Sequence, residues 1–212
     1  MIASEDKSEK LKRKIKTTMV KVLGVSGSMQ DNSASARATQ LILEACRNQG
    51  AQTRMLDLHE ADLPMFRTRT SQADHAGRSS ADEAVNWAQA LVLVSPDYHG
   101  SMSGAMKNFL DHYWQEFAGK LFAYGCISGE KGLTVMDQMR TAIRQCYGWS
   151  LPYGLSFSAQ DWDENAMQNA AMAQRTLMMG RDLCVYGALI SDQFSRDLQS
   201  DDSDTFAARY RA

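Results

Sequence analysis

Three short stretches combine hydroxyl, glycine and planar side chains in patterns that could do chemistry. The first, Ser26 to Ala36 (SGSMQDNSASA), follows a Val-rich run and leads into a helical pattern. Unpaired amides at a helix start, with the positive end of its dipole, form an anion site. Gly27 suits a tight turn there, and Ser26, Ser28, Ser33 and Ser35 could each add a hydroxyl donor. A Ser-rich turn whose hydroxyls only cap the helix is the plainer reading. The second stretch runs from Pro96 through Asp97, Tyr98, His99, Gly100 and Ser101 to Gly104. Pro96 cannot donate to a strand ladder, and Gly100 and Gly104 permit the close approach of a flat ligand. Tyr98 and His99 offer planar surfaces with polar tips, although an ordinary surface turn has the same composition. The third, Ser128 to Gly132, brackets Glu130 and Lys131 with Gly129 and Gly132 just before a helix. A planar phosphorylated cofactor needs a phosphate cradle at one end and close backbone contact at the other. Three such loops at one edge supply both.

Side-chain catalysis is less well represented. His59, His75 and His112 lack paired metal-ligand spacing, and no metal site is expected. Asp97, His99 and Ser101 are too close on one loop to assemble a catalytic triad. Of these, His99 alone is retained as a residue that could contact a ring or move a proton. The four cysteines are scattered without a C-x-x-C, which argues against zinc and disulfides and for a reducing, cytoplasmic setting. Neither G-x-x-x-x-G-K-[ST] nor G-x-G-x-x-G occurs, which weakens triphosphatase and Rossmann dehydrogenase readings.

The loops need a scaffold, and hydrophobic alternation predicts one. Short strands are expected over Met19–Ser26, Thr53–Leu58, Ala90–Ser95, Lys120–Ser128 and Tyr153–Ser158. Between them, Ala38, Leu41, Ile42, Ala45 and Cys46 recur at helical spacing, and Gly50 supplies a stop. Ser80 with Glu83 looks like a capping box opening a helix through Ala88. Met106, Phe109, Leu110, Tyr113 and Phe117 form one helical stripe, which Tyr113 and Trp114 broaden into a face suited to a dimer. Val135, Met136, Met139, Ile143 and Cys146 mark another helix, and a last one is expected from Asp163 to Tyr186. The connection from His59 to Ser79 is long enough to be functional or mobile. Five strands each followed by a helix imply an α/β fold with a parallel sheet covered on both faces. Ligands then bind beyond the carboxyl ends of the strands, where strand order reverses.

Composition sets outer limits. With 212 residues and a formal charge of -2, the chain reads as one ordinary soluble domain without a field favouring nucleic acid or membrane. We expect a polar, lysine-rich arm over residues 1–18, a domain over 19–190, and a frayed polar tail over 191–212. A nucleic-acid-binding tail is the alternative for the arm.

SPDYHGSMSGAMKNFLDHY resembles the P-[ED]-Y-[NH]-G-S-x-x-G-x-x-K-N-x-x-D pattern of NAD(P)H-dependent FMN reductases. Pro96, Tyr98, Gly100, Ser101, Gly104, Lys107, Asn108 and Asp111 stand in register. Gly27, Ser28 and Ser33 resemble that family's phosphate loop, with Gln30 where Arg is usual and Ser35 where Asn is. Losing the Arg removes a charge-assisted contact, so phosphate binding leans on amides and hydroxyls. The resemblance covers Met19 to Tyr186 and implies a flavodoxin-like three-layer sandwich with strand order 2-1-3-4-5. It implies FMN, with Ser26–Ser35 on its phosphate and Pro96–Ser101 and Ser128–Gly132 bordering its ring. It implies NADPH or NADH as donor, and as acceptor free FMN, a quinone, an azo compound or a metal oxyanion. A homodimer or homotetramer is expected. A non-enzymatic FMN carrier or redox sensor remains the alternative, as does an interaction protein that has lost the cofactor.

Overall fold

Each of the central strands is hydrophobic on both sides, as a strand covered by helices on both faces must be. In the computed structural model, which describes residues 19–68, 75–163 and 166–211, β1 (Lys21–Ser26), β2 (Gln52–Asp57), β3 (Ala90–Pro96), β4 (Leu121–Ile127) and β5 (Trp149–Phe157) form one sheet. All neighbours are parallel and the order is β2-β1-β3-β4-β5, the expected flavodoxin-like arrangement. Alternate residues face opposite layers. Leu23, Val25, Leu91, Leu93, Phe122 and Tyr124 pack on one side, against α3 (Ala76–Trp87), α4 (Gly104–Asp111) and α5 (Leu133–Gln145). Val22, Val92, Val94, Ala123, Leu155 and Phe157 pack on the other, against α1 (Ala34–Asn48) and α6 (Ala170–Gln199).

Four local expectations are corrected. Helix α3 starts a full turn before Ser80, with His75 at its N-cap, so Ser80 and Glu83 form no capping box. Close packing sets this earlier start: a Cβ on Gly77 would lie 1.8 Å from the Ala61 carbonyl oxygen, at the end of the short helix α2 (Leu58–Ala61). Glu83 instead meets Arg54 at 2.8 Å.

The aromatic stripe is not one helix. α4 ends at Asp111, and a 3-10 turn over Gln115–Phe117 follows. The break rotates Tyr113 and Phe117 into the core, where Phe117 meets the Phe122 ring edge-on at 5.2 Å, and it leaves Trp114 outside. Tyr113 is therefore buried by its own chain.

The last helix does not begin at Asp163. A small hairpin, β6 (Trp162–Asp163) with β7 (Ala166–Met167), comes first, because the buried Asp161 carboxylate accepts from the Ser158 amide and the Asn169 side chain. Asn169 then caps the helix by accepting from the Met172 amide.

Nor does the last helix stop at Tyr186, or the chain fray over 191–212. α6 continues to Gln199, and a 3-10 segment, Phe206–Tyr210, folds back so that Phe206 stacks on Phe194 at 5.3 Å. Arg211 donates to the carbonyls of Asp197 and Asp202, and Ala207 is buried. The predicted arm, residues 1–18, lies outside the described residues.

Candidate functional site

The register of the sheet brings three strand ends to one rim. At each exit the first loop amide is tied back to the neighbouring strand: Gly27 N to Val94 O at 2.8 Å, Asp97 N to Ile127 O at 2.8 Å, and Ser128 N to Phe157 O at 2.9 Å. The reversal of strand order falls between β1 and β3, so the loops after β1, β3 and β4 lie side by side.

The loop after β1 is welded to the one after β3. The Ser103 hydroxyl donates to the Gly27 carbonyl, and the Ser103 amide donates to Ser95 Oγ at 2.9 Å. A Cβ on Gly27 would crowd Met106, at 3.0 Å from its Cβ and 2.9 Å from its Cε, so the loop packs closely on α4 there. Ser33 caps α1 by accepting from the Ala36 amide at 3.0 Å, and Ser28 Oγ accepts from the Gln30 amide at 3.2 Å. Both hydroxyls keep their hydrogens for another partner. Ser26 Oγ is buried with no hydrogen-bond partner among the described residues. Ser35 is buried in the first turn and Gln30 is exposed.

The loop after β3 is a two-residue hairpin turn. Tyr98 and Ser101 exchange backbone hydrogen bonds at 3.0 and 3.2 Å, and the residues between them, His99 and Gly100, have φ of 58° and 76°. Two positive φ values in succession are what a type I′ turn requires. Asp97 braces it: one carboxylate oxygen accepts from the Gly100 amide at 2.8 Å, and the other accepts from the Ser128 hydroxyl at 2.9 Å. That second bond joins the loops after β3 and β4. Gly132, at φ 57°, opens α5 without any side-chain cap, and a Cβ there would meet Cys126 Sγ at 2.6 Å.

These two loops enclose a cleft of about 770 Å³ lined by Asp97, His99, Gly100 and the whole of Ser128–Gly132, with Leu133 and Thr134. Pro96 is buried at the end of β3 and Tyr98 is exposed; neither lines the cleft. Ser101 faces a neighbouring groove with Met102, Lys107 and Gln138. The residues of the first loop do not line the cleft; they stand beside it at the same rim. No hydrogen bond joins Asp97, His99 and Ser101 into a triad, since Asp97 serves Gly100 and Ser128 while Ser101 Oγ donates to Gln138. Under the cleft, burial and then the Asp97 charge push the Cys126 thiol up to about 12, so it stays protonated and is no nucleophile at neutral pH. Lys107 and Asp111 pair at 2.6 Å on the surface of α4, as their four-residue spacing predicts.

Sequence reasoning missed Gln138. From α5 its Oε1 accepts from the Ser101 hydroxyl at 2.9 Å and the Met102 amide at 3.2 Å, and its Nε2 approaches the Gly100 carbonyl at 3.4 Å. A single polar residue on a helix surface carries no motif that would reveal this. Asn108, three residues before the end of α4, braces a different segment. Its amide accepts from Phe66 N at 2.8 Å and donates to Pro64 O at 3.1 Å, pinning the long connection to α4. His112 adds a second pin, 2.9 Å from the same Pro64 carbonyl.

A flavodoxin-like sheet with a hydroxyl-rich helix start at its switch point, and beside it a glycine-lined cleft between the loops after β3 and β4, defines a class of cofactor-binding α/β proteins. Within that class, the sequence profile of the NADPH-dependent FMN reductase family matches residues 20–163, and the chain belongs to that family. It is 28% identical over 153 residues to the FMN-dependent NADPH-azoreductase of Staphylococcus aureus, covering 69% of this chain and 81% of that protein. Among solved structures it resembles an apo NADH:FMN oxidoreductase, with TM-score 0.68 and 20% identity over 79% of this chain and 90% of that one. It also resembles a flavodoxin from the Archaea, with TM-score 0.56 and 14% identity over 79% and 99% of the two chains. These two likenesses are of fold. The family carries the activity: flavin-dependent oxidoreduction with FMN and NADPH.

Proposed function

We propose that FMN sits along this rim, with its phosphate on the loop Ser26–Ser35 and its ring bordered by Pro96–Ser101 and Ser128–Gly132. FMN supplies, when bound, the two-electron chemistry that links a reduced nicotinamide to an acceptor. The observation that carries this reading is the paired exit of the loops after β3 and β4 around one cleft, with the hydroxyl-rich start of α1 beside it.

The residues present fit the cofactor. Ser26, Ser28 and Ser33 have hydroxyl hydrogens to give a phosphate, and the opening amides of α1 have no intrahelical acceptor. At Gly100 and Gly129 a Cβ would meet nothing within 4 Å, so the backbone is open to a flat ring. The uncapped start of α5 directs amide N–H groups and its dipole at the same cleft, where they favour negative charge on a reduced ring. Gln30 offers no cation to the phosphate. His99 lines the cleft and contacts ring or nicotinamide without a required proton transfer.

The acceptor is a small oxidant that reaches the exposed ring face: free FMN, a quinone, an azo compound or a metal oxyanion. The chain works in the cytoplasm. None of its described helices is long and apolar enough to cross a membrane, and its four cysteines are free. It assembles as a homodimer or homotetramer, for which exposed Trp114 and the exposed α6 residues Leu177, Met178, Val185 and Leu189 provide apolar surface.

The test is a visible spectrum of the purified protein with FMN, followed by anaerobic NADPH or NADH. Rapid bleaching of bound flavin is expected. Bound flavin that stays oxidised would favour a carrier or sensor, and the absence of bound flavin would end the reading.

A further inference from the structure

Residues 26–36 hold no lysine, arginine or histidine, and Asp31 adds a negative charge. A loop of this kind offers amides and hydroxyls to a phosphate and no compensating charge. The first basic residue beyond it is Arg37, in the first turn of α1. A cation in that turn opposes the helix dipole, so its placement is unfavourable unless an anion shares the helix start.

Two contacts place Arg37 beside the loop, and one of its nitrogens is left over. Its Nη1 donates to the Asn32 carbonyl at 2.8 Å, its guanidinium lies 6.0 Å from the Trp162 ring, and its Nε is buried without a hydrogen-bond partner among the described residues. Asn32 has φ of 48°, a left-handed conformation that only glycine adopts freely and asparagine tolerates. In a trans peptide the C=O and N–H point opposite ways. Drawing the Asn32 carbonyl back along the helix to Arg37 therefore turns the Ser33 amide forward, past the helix start, alongside the free amides of Ala34 and Ser35.

We propose that Arg37 is the positioning and charge-compensating residue of this loop, standing in from the helix for the cation the loop lacks. It makes the chain discriminate a flavin carrying a phosphate monoester from the same flavin without one. This rests on the FMN placement above, and the experiment separates the two.

Full-length protein freed of flavin is titrated with FMN and with riboflavin by fluorescence quenching, at low and high salt. Arg37→Gln is expected to raise the FMN Kd about tenfold, the loss of roughly one charge-assisted contact, and to leave riboflavin within about twofold. The salt dependence of FMN binding should shrink with it. Arg37→Lys should keep the salt dependence and recover part of the affinity, because lysine retains the charge without the planar fork. Equal losses for both flavins would make Arg37 merely structural, and no loss for either would remove its role; both results overturn the proposal. Should Arg37→Gln fail to fold by circular dichroism, the same comparison on Arg37→Lys decides. A wild-type protein that binds neither flavin sinks the FMN placement first, and the proposal with it.

Discussion

Replacing Gln138 with leucine should weaken FMN binding about five- to thirtyfold while barely changing global stability. The magnitude follows from what one side chain does. Gln138 Oε1 takes two well-formed hydrogen bonds, at 2.9 and 3.2 Å, and its Nε2 contact at 3.4 Å is too long to count for much. Net contributions of about 0.5–1.5 kcal/mol per bond give roughly 1–3 kcal/mol, and partial access of Ser101 and Met102 to water keeps the loss in the lower half. About 1–2 kcal/mol corresponds to that factor in Kd. The cost appears in binding because the Tyr98–Ser101 turn is itself largely exposed: once loosened, it must be ordered again each time a ligand enters. Fluorescence-quenching titration with FMN measures the effect, and urea unfolding of the same variant provides the control. Gln138→Glu keeps an acceptor for both bonds and should recover most of the affinity. A Gln138→Leu protein that binds FMN as tightly as wild type would refute the brace. So would an affinity loss that merely tracks a fall in the urea midpoint.

Two further perturbations reach other parts of the structure. Asn108→Ala removes both bonds that hold Pro64 and Phe66 against α4, so hydrogen exchange and proteolysis should quicken over 59–68, with a stability loss of only about 1–2 kcal/mol; unchanged exchange there would show that His112 suffices. Burial depresses the Lys120 ammonium to about 8, from 10.5 in the unfolded chain. Below pH 8 the folded state carries the full cost of that buried charge. Between about 8 and 10.5 it sheds a proton the unfolded chain still holds, so this group's contribution to stability rises with pH, by at most on the order of 3 kcal/mol. The stability of wild type relative to Lys120→Met should rise across that window, and a constant difference would contradict it.

How far the sequence could be read depended on whether a signal was local. The five strands were legible because burial on both faces leaves unbroken apolar runs such as Leu91–Val94, and their alternation with helices left little freedom in topology. The rim loops were legible for a related reason: Gly100 and Gly132 stand at positive φ, and Gly27 and Gly132 where a Cβ would collide, so the backbone demand is written in the residue itself. Events decided by distant partners were not. The five apolar residues from Met106 to Phe117 keep helical spacing whether or not the helix is continuous, and the break after Asp111 goes with packing on distant partners such as the Phe122 ring on β4. The capping box at Ser80 failed because Ala61 packs against Gly77 one turn earlier. The tail over 191–212 reads as polar because its anchors, Phe194, Phe206 and Arg211, are spread thinly through it and find each other only once α6 has run its length. The site shows the same division. The glycines and hydroxyls of the rim loops appear in the motif, whereas the residues that brace those loops, Ser103, Gln138 and Arg37, bond across 5 to 76 residues of chain and leave no pattern along it. The polar residues that aim a loop are therefore where structure adds most to a sequence of this kind, and where substitutions should alter binding without disturbing the fold.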